Sequence, residues 1–541
     1  MKINDKSIRN RRIISTIIFS VIQLLTLISP FIMGRIIDVY IPNNKVKYVC
    51  LGIALFVAIP FVSIILQTVY NYFTIKYVRK KGNEYSIKIM KNLVYREMSF
   101  FDKENSLELL SYASKEIVDY VNFEVAELSQ YYVNIILAIA TFITLLTINP
   151  YLAMIQLIYL PVAKYPIKKI GGSVEKEIKE VVTKNAENNQ IKGDTFKAIE
   201  YVKLNQLEKE KIGEVEKNND AINAVWGKVA ALDTLSGIWT GGFATVLFTG
   251  VTFGLGALLI MNGRGLTVGK LVSVITYCGV LYSCINSLLQ TDISKAKNNS
   301  EYEKVFSFLD MEGEREDNES KVPFKMEKGI FCKNLTFSYP DKNPILKDIT
   351  LSFKKGEWTG IVGPSGSGKS TLLKLMCKLY EAPRGELYID DTDINDINAF
   401  SIRENVAKIS QDIFLFPGTI LENMKLVCPS ATLEEINRVL DIACLSDFIA
   451  RLSNGIKTDV GEAGKLISGG EKQRLSIAIG LLRKTKVLLL DEVSSSLDSE
   501  TEEKLARNLH GLAKEGYTII SISHKREFLT YADKIIDFGE N

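Results

Sequence analysis

A surplus of charge is missing from this sequence: 66 lysines and arginines against 63 aspartates and glutamates leave a net +3 over 541 residues. Nothing in that balance argues for a nucleic-acid partner. Paired cysteines are missing too. Seven are scattered (Cys50, Cys278, Cys284, Cys332, Cys377, Cys428, Cys444) with no C-x-x-C, and they read as buried or incidental reduced thiols. Histidine is nearly absent: His510 and His524 are the two. His510 reads as an ordinary surface residue of a helix. Arginine is sparse beside Lys, Ile and Asn, the bias of an AT-rich bacterial genome. What is present is length, more than one ordinary domain needs, and an uneven spread of apolar residues.

Residues 1–300 carry charge-free runs long enough to cross a bilayer. Ile13 to Gly34 is the first, 22 residues behind a basic flank of Lys2, Lys6, Arg9, Arg11 and Arg12. No small-residue cleavage pattern follows it, so it reads as a span and not as a signal peptide. Tyr48 to Ile75 is the second. Leu128 to Ala163 is too long for one helix, and Asn149-Pro150 splits it into a third and a fourth. Leu235 to Met261 and Leu271 to Gln290 are the fifth and sixth. The loops after spans two and four are long and lysine-rich, which predicts cytoplasmic N- and C-termini. Gln23, Gln67, Gln156 and Asn286 read as interhelical hydrogen-bond partners, and Lys164 as a snorkelling residue. The spans hold no acidic or aromatic cluster, so no substrate residue is assigned.

Residues 301–325 are polar and read as a linker, and 326–541 read as a soluble α/β domain. Its strongest motif is Gly363-Pro364-Ser365-Gly366-Ser367-Gly368-Lys369-Ser370-Thr371, between an apolar strand (Trp358 to Val362) and an apolar helix (Lys369 to Leu379). Glycines let backbone N–H groups converge on a polyphosphate, and the helix adds its positive end. Lys369 can reach the β/γ-phosphates and Ser370 can ligate Mg²⁺. Lys486 to Glu492 is an apolar strand ending in two carboxylates. Asp491 is placed to hold the Mg²⁺ shell and Glu492 to polarise an attacking water. The strand Thr518 to Ser523 delivers His524, which can hydrogen-bond a γ-phosphate. Tyr339, at the end of another strand, can stack on a base.

Leu466-Ile467-Ser468-Gly469-Gly470-Glu471 resembles the signature sequence of ATP-binding cassette (ABC) transporters, and the other motifs then fall into that family's order. Tyr339 resembles the A-loop aromatic, Gly363–Thr371 the Walker A loop, and Gln411 the Q-loop glutamine. Asp491 and Glu492 resemble Walker B and its catalytic base, Ser495 to Asp498 the D-loop, and His524 the switch histidine. Phe100-Phe101-Asp102 and Leu266-Thr-Val-Gly269 resemble exporter motifs in the membrane half. The resemblance implies a half-transporter: a six-span α-helical transmembrane domain followed by an α/β P-loop NTPase domain.

It also implies ATP and Mg²⁺ as ligands, with Ser370, Gln411 and Asp491 at the metal and Glu492, His524 and Gln411 in catalysis. Ser468, Gly469, Gly470, Glu471 and Asp498 would serve a nucleotide held across a dimer interface. The working unit is then a dimer, expected to be a homodimer, with a heterodimer with a degenerate partner as the alternative. The expected setting is the bacterial cytoplasmic membrane and its lipids.

Departures are visible. Glu471 stands for the usual Gln, Ile467 for Leu, and Ala463 for an Arg. The chain ends at Asn541, where one or two further helices are expected. About twelve residues precede the first span, so no leader peptidase is expected ahead of it. The expected activity is ATP-driven efflux of a drug or lipid. Peptide or bacteriocin export is the alternative, with an importer or sensor behind it.

Overall fold

The computed structural model describes residues 5–104, 106–310, 321–340, 343–410, 414–461 and 464–538. Asn105, Gln411, Glu462, Ala463, Gly539 and residues 311–320 of the expected linker lie outside the described residues, while 301–310 continue the helix Val268–Asp310, so the linker does not begin at 301. Two units are present. One comprises Met1–Val94 and Asn105–Met311, the other Tyr95–Glu104 and Glu312–Asn541.

The first unit is helical. Among the described residues, five stretches are long and apolar enough to cross a membrane: Lys6–Tyr40, Val46–Val94, Leu109–Ile148, Glu208–Met261 and Val268–Thr291. The fourth span expected from the sequence falls on the helix Pro150–Lys197, whose apolar part is its N-terminal third. Leu128–Ile148 ends at Asn149, whose side chain accepts from Leu152 N–H at 3.1 Å, with Pro150 at the first helical position. That is the tight turn that Asn-Pro predicts, since proline lacks the N–H that a first-turn residue would leave unpaired. The first apolar run is not one helix: Lys6–Thr26 stops at Leu27 and Ile28–Arg35 restarts, with Pro30 in its first turn. The helices of 49 and 48 residues reach about 70 Å at about 1.5 Å per residue, against about 30 Å of hydrocarbon. Val57, Phe61 and Ile64 stay exposed on the second span, as lipid-facing side chains do.

Two of the in-span amides pair across helices. Gln156 donates to Thr252 Oγ1 at 3.0 Å and accepts from Tyr282 OH at 2.5 Å. Asn286 accepts from Tyr159 OH at 3.2 Å, and the Tyr159 and Tyr282 rings stack at 4.2 Å. Gln156, Thr252, Tyr159 and Tyr282 are buried and Asn286 is partly so, where an unpaired amide would be costly.

The second unit is α/β. Its main sheet is parallel, with strand order β6-β7-β8-β3-β9: β3 is Trp358–Val362, β6 Val406–Ile409, β7 Val487–Asp491, β8 Thr518–Ile522 and β9 Lys534–Asp537. β3, β7 and β8 are buried throughout, as strands with helices on both faces must be. Trp358 pins β3 to β8 by donating its indole N–H to Ser521 Oγ at 2.7 Å. A smaller antiparallel sheet, order β2-β1-β4-β5, holds β1 Gly329–Phe337, β2 Leu346–Lys354, β4 Leu387–Ile389 and β5 Thr392–Asp393. Burial pushes the thiols of Cys332 and Cys377 up to about 12, which leaves them as inert packing atoms.

Two expectations are corrected here. The helix after the phosphate-type loop spans Lys369–Met376 and does not run on to Leu379. Lys378 takes a left-handed φ of 49° and sends its buried ammonium to the carbonyls of Asn395 and Ile397. His510 is only partly at the surface. It is half-buried in the helix Ser499–Lys514 with its ring 6.2 Å from that of Tyr531.

Candidate nucleotide site

Parallel register decides which residues meet. Ile361 on β3 and Asp491 on β7 both lie beside Ile522 on β8. The loops after β3, β7 and β8 therefore leave the sheet along one edge, its carboxyl end, where such sheets bind ligands. That edge gathers Gly363–Thr371, Asp491, Glu492 and His524.

The loop is held by steric exclusion as well as by glycine's freedom. Gly368 has φ +95°, and a Cβ there would fall 2.5 Å from Leu346 Cδ2 and 2.9 Å from Ile345 Cγ2. Gly363 has φ +153°, with Phe538 Cβ 3.1 Å from where a side chain would start. Lys369 folds back over the loop, its Nζ donating to the carbonyls of Gly363 at 2.9 Å and Pro364 at 2.7 Å. Burial pushes this ammonium below its ordinary range, against the attraction of Glu492 and Asp491. Ser370 Oγ donates to Asp491 Oδ1 at 2.8 Å, so the two residues expected at a metal ion are already adjacent.

Glu492 has φ +52°, a left-handed conformation uncommon for a residue with a side chain. Its N–H donates to Ile522 O at 3.0 Å, and its Oε1 stands 2.9 Å from His524 Nε2. The strained turn thus aims the carboxylate at the histidine delivered by the neighbouring strand.

Tyr339 lies near the loop, its hydroxyl 3.3 Å from Thr371 Oγ1 and its ring edge-to-face with Tyr380 at 5.0 Å. Tyr380 in turn donates to Asp102 Oδ2 at 2.7 Å, a partnership 278 residues apart that sequence reading missed.

Ser468 caps the helix Gly469–Leu482, and Glu471 explains itself as the third residue of that helix. Ser468 N–H donates to Glu471 Oε2 at 2.8 Å and Glu471 N–H returns to Ser468 Oγ at 3.4 Å, a reciprocal capping box. Asp498 likewise caps the next helix, accepting from Thr501 N–H at 2.9 Å. Buried Gln473 ties the signature helix to the D-loop through Ser495 Oγ at 2.8 Å and Ser496 N–H at 3.1 Å. Its place between a lysine and an arginine disguised it as surface.

The residues fit a magnesium nucleotide. The loop carries no Cβ at its close approaches, and a hydroxyl and a carboxylate sit together where the lysine converges. Among the described residues no group of three His, Cys, Asp or Glu side chains could hold a metal. Mg²⁺ does not need one, because it takes one or two protein ligands beside phosphate oxygens and water.

The sequence profile described as the ABC transporter transmembrane region matches residues 13–284, and the profile described as ABC transporter matches 346–495. The chain belongs to the ABC transporter family and is an integral membrane protein. The multidrug resistance-like ATP-binding protein MdlA of Buchnera aphidicola subsp. Schizaphis graminum is 28% identical over 547 residues, covering 97% of this chain and 90% of that one. YgaD of Bacillus subtilis (strain 168), named as a candidate multidrug export ATP-binding/permease protein, is 37% identical over 279 residues, 51% of this chain and 48% of that one. A Staphylococcus aureus relative similarly named, SAB1799c, is 36% identical over 53% of this chain and 50% of its own. The matches to these last two span about half of the relatives' length. The structure titled as a bacterial Atm1-family ABC exporter with ATP bound shares the fold: TM-score 0.87 at 22% identity, covering 98% of this chain and 94% of that one.

Proposed function

We propose that this chain is an ATP-driven exporter that works as a dimer and moves a lipophilic or amphipathic compound out of the cytoplasm. The observation that carries the reading is the Glu492–His524 pair at 2.9 Å beside the Ser370–Asp491 pair at 2.8 Å. A polyphosphate would take over the Lys369 ammonium from the loop carbonyls that now hold it. Mg²⁺, when bound, would offset charge on the β- and γ-phosphates, with Ser370, Asp491 and Gln411 as the residues to hold it. Glu492 orients the attacking water and takes up its proton, and His524 fixes the carboxylate. Ser468, Gly469, Gly470 and Asp498 would face the nucleotide of a second copy. Tyr201 and Leu204, exposed on the short helix Ile199–Leu204 between two long ones, support Tyr201–Leu207 as a coupling segment. Asn105–Tyr112 is the second, with Asn105 outside the described residues. The lysine-rich loops support cytoplasmic termini.

The multidrug names of the relatives support a lipophilic cargo over a peptide. ATPase activity of the purified protein in nanodiscs, against a panel of lipophilic cations, lipids and leaderless peptides, tests it. Stimulation by the cations or lipids is the expected result. Stimulation by peptides alone would replace the cargo, and uptake into right-side-out cells would reverse the direction.

The loop itself is testable by Gly368→Ala. The added methyl must displace Leu346 or Ile345 while the backbone keeps a φ that L-residues avoid. ATP affinity should fall by about tenfold or more, equivalent to about 1.4 kcal/mol, in a titration with a fluorescent ATP analogue. Unaltered affinity would show that the loop does not cradle the phosphates as described.

A further inference from the structure

Lys408 has no part in the site as described so far, yet it reaches it. It lies on β6, an edge strand, paired in register with Leu489 of β7. Lysines on edge strands ordinarily point to water. This one turns inward: its side chain is 12% exposed, and its ammonium stands 3.4 Å from Asp491 Oδ2, itself on a side chain 8% exposed. It also donates to Ser410 Oγ at 2.7 Å. Asp491 is thus held on both oxygens, by the Ser370 hydroxyl on one and by a fixed positive charge beside the other.

A divalent cation approaching Ser370 and Asp491 meets that charge. Like charges at contact distance in a partly buried site are screened far less than at the surface. We propose that Lys408 is a built-in counter-ion to Asp491 that competes with the divalent cation and so sets a high magnesium requirement for nucleotide binding. The inference rests on the reading of Ser370 and Asp491 as the metal site.

The test uses the full chain in nanodiscs, in a Glu492→Gln background so that ATP is not consumed. ATP binding is titrated with MgCl₂. Lys408→Met and Lys408→Gln should each lower the half-saturating magnesium concentration by about tenfold or more, because a like charge beside the metal position is removed. Lys408→Arg, which keeps the charge, should stay near the parent. Without nucleotide, melting of the two neutral variants should depend on magnesium more than melting of the parent, because each leaves Asp491 without its counter-ion. An unchanged half-saturation in both neutral variants, or a raised one, overturns the proposal. Lys408→Gln keeps a donor toward Ser410, so a folding failure of the Met variant leaves the answer readable. If the parent itself shows no magnesium-dependent ATP binding, the metal site is misassigned and this inference goes with it.

Discussion

Glu492→Gln should lower ATP turnover by about 10²–10⁴-fold, the range a positioned general base contributes, while ATP affinity stays within about threefold of the parent. The geometry separates the two effects. Glu492 is not among the groups that cradle phosphate; those are the loop glycines, Lys369 and Ser370. The carboxylate meets His524 Nε2 at 2.9 Å, and a glutamine oxygen can accept that same hydrogen bond, so the pair should keep its position. What disappears is the ability to accept a proton from water. The backbone should not move, because the φ of +52° is imposed by the N–H bond to Ile522 and by the strand ends around it. Phosphate release measured in lipid, with nucleotide binding measured in parallel, checks both halves. Turnover above a tenth of the parent rate would remove Glu492 from its role, and lost binding would mean the residue shapes the pocket. His524→Ala should cost less, since a histidine that orients the carboxylate leaves the base itself in place.

Much of this site was legible because its chemistry depends on local spacing. A glycine loop between a buried strand and a helix, and two carboxylates at a strand end, are short-range patterns. Strand register then brings them together, and register in a parallel sheet buried on both faces follows from the apolar runs themselves.

The rest depended on contacts between distant parts of the chain. Lys408 sits in Val-Ala-Lys-Ile, which as text is a strand with one outward lysine; only the pairing with β7 turns it toward Asp491. The Tyr380–Asp102 bond joins residues far apart in sequence, with no periodicity to announce it. Glu471 looked like a departure from a motif, and the capping box shows a local reason for it. The apolar run at Ile13–Gly34 was long enough to span, but the break at Leu27 follows from Pro30, whose missing N–H and clash with the preceding turn a hydropathy sum does not register. The partial burial of His510 was not legible because helix position alone does not tell which face packs on Tyr531.

Gly269→Val should be the most disruptive single change in the membrane unit, lowering the melting temperature by several degrees through a loss of about 3 kcal/mol or more. At Gly269 the helix Val268–Asp310 meets Ile28–Arg35 with no room for a side chain. A Cβ there would press on the Gly34 carbonyl oxygen and fall 2.6 Å from Asp38 Cγ. Small residues at such crossings let two backbones approach, and in lipid that packing replaces the hydrophobic drive that water supplies elsewhere. The approach also carries polar contacts. Asp38 accepts from Gly269 N–H at 2.7 Å, from Lys270 N–H at 3.1 Å and from Thr267 Oγ1 at 2.5 Å, satisfying the start of one helix from the end of another. Pushing the helices apart breaks these together with the packing, so the cost exceeds that of overpacking alone. Gly279→Ala on the same helix is the control, because nothing lies within 4 Å of the added methyl. Alanine there should hold or raise the melting temperature through helix propensity. Thermal unfolding of the purified protein in one detergent compares the three. Equal stability of Gly269→Val and the parent would mean that the crossing between Gly34 and Gly269 does not hold this end of the bundle together.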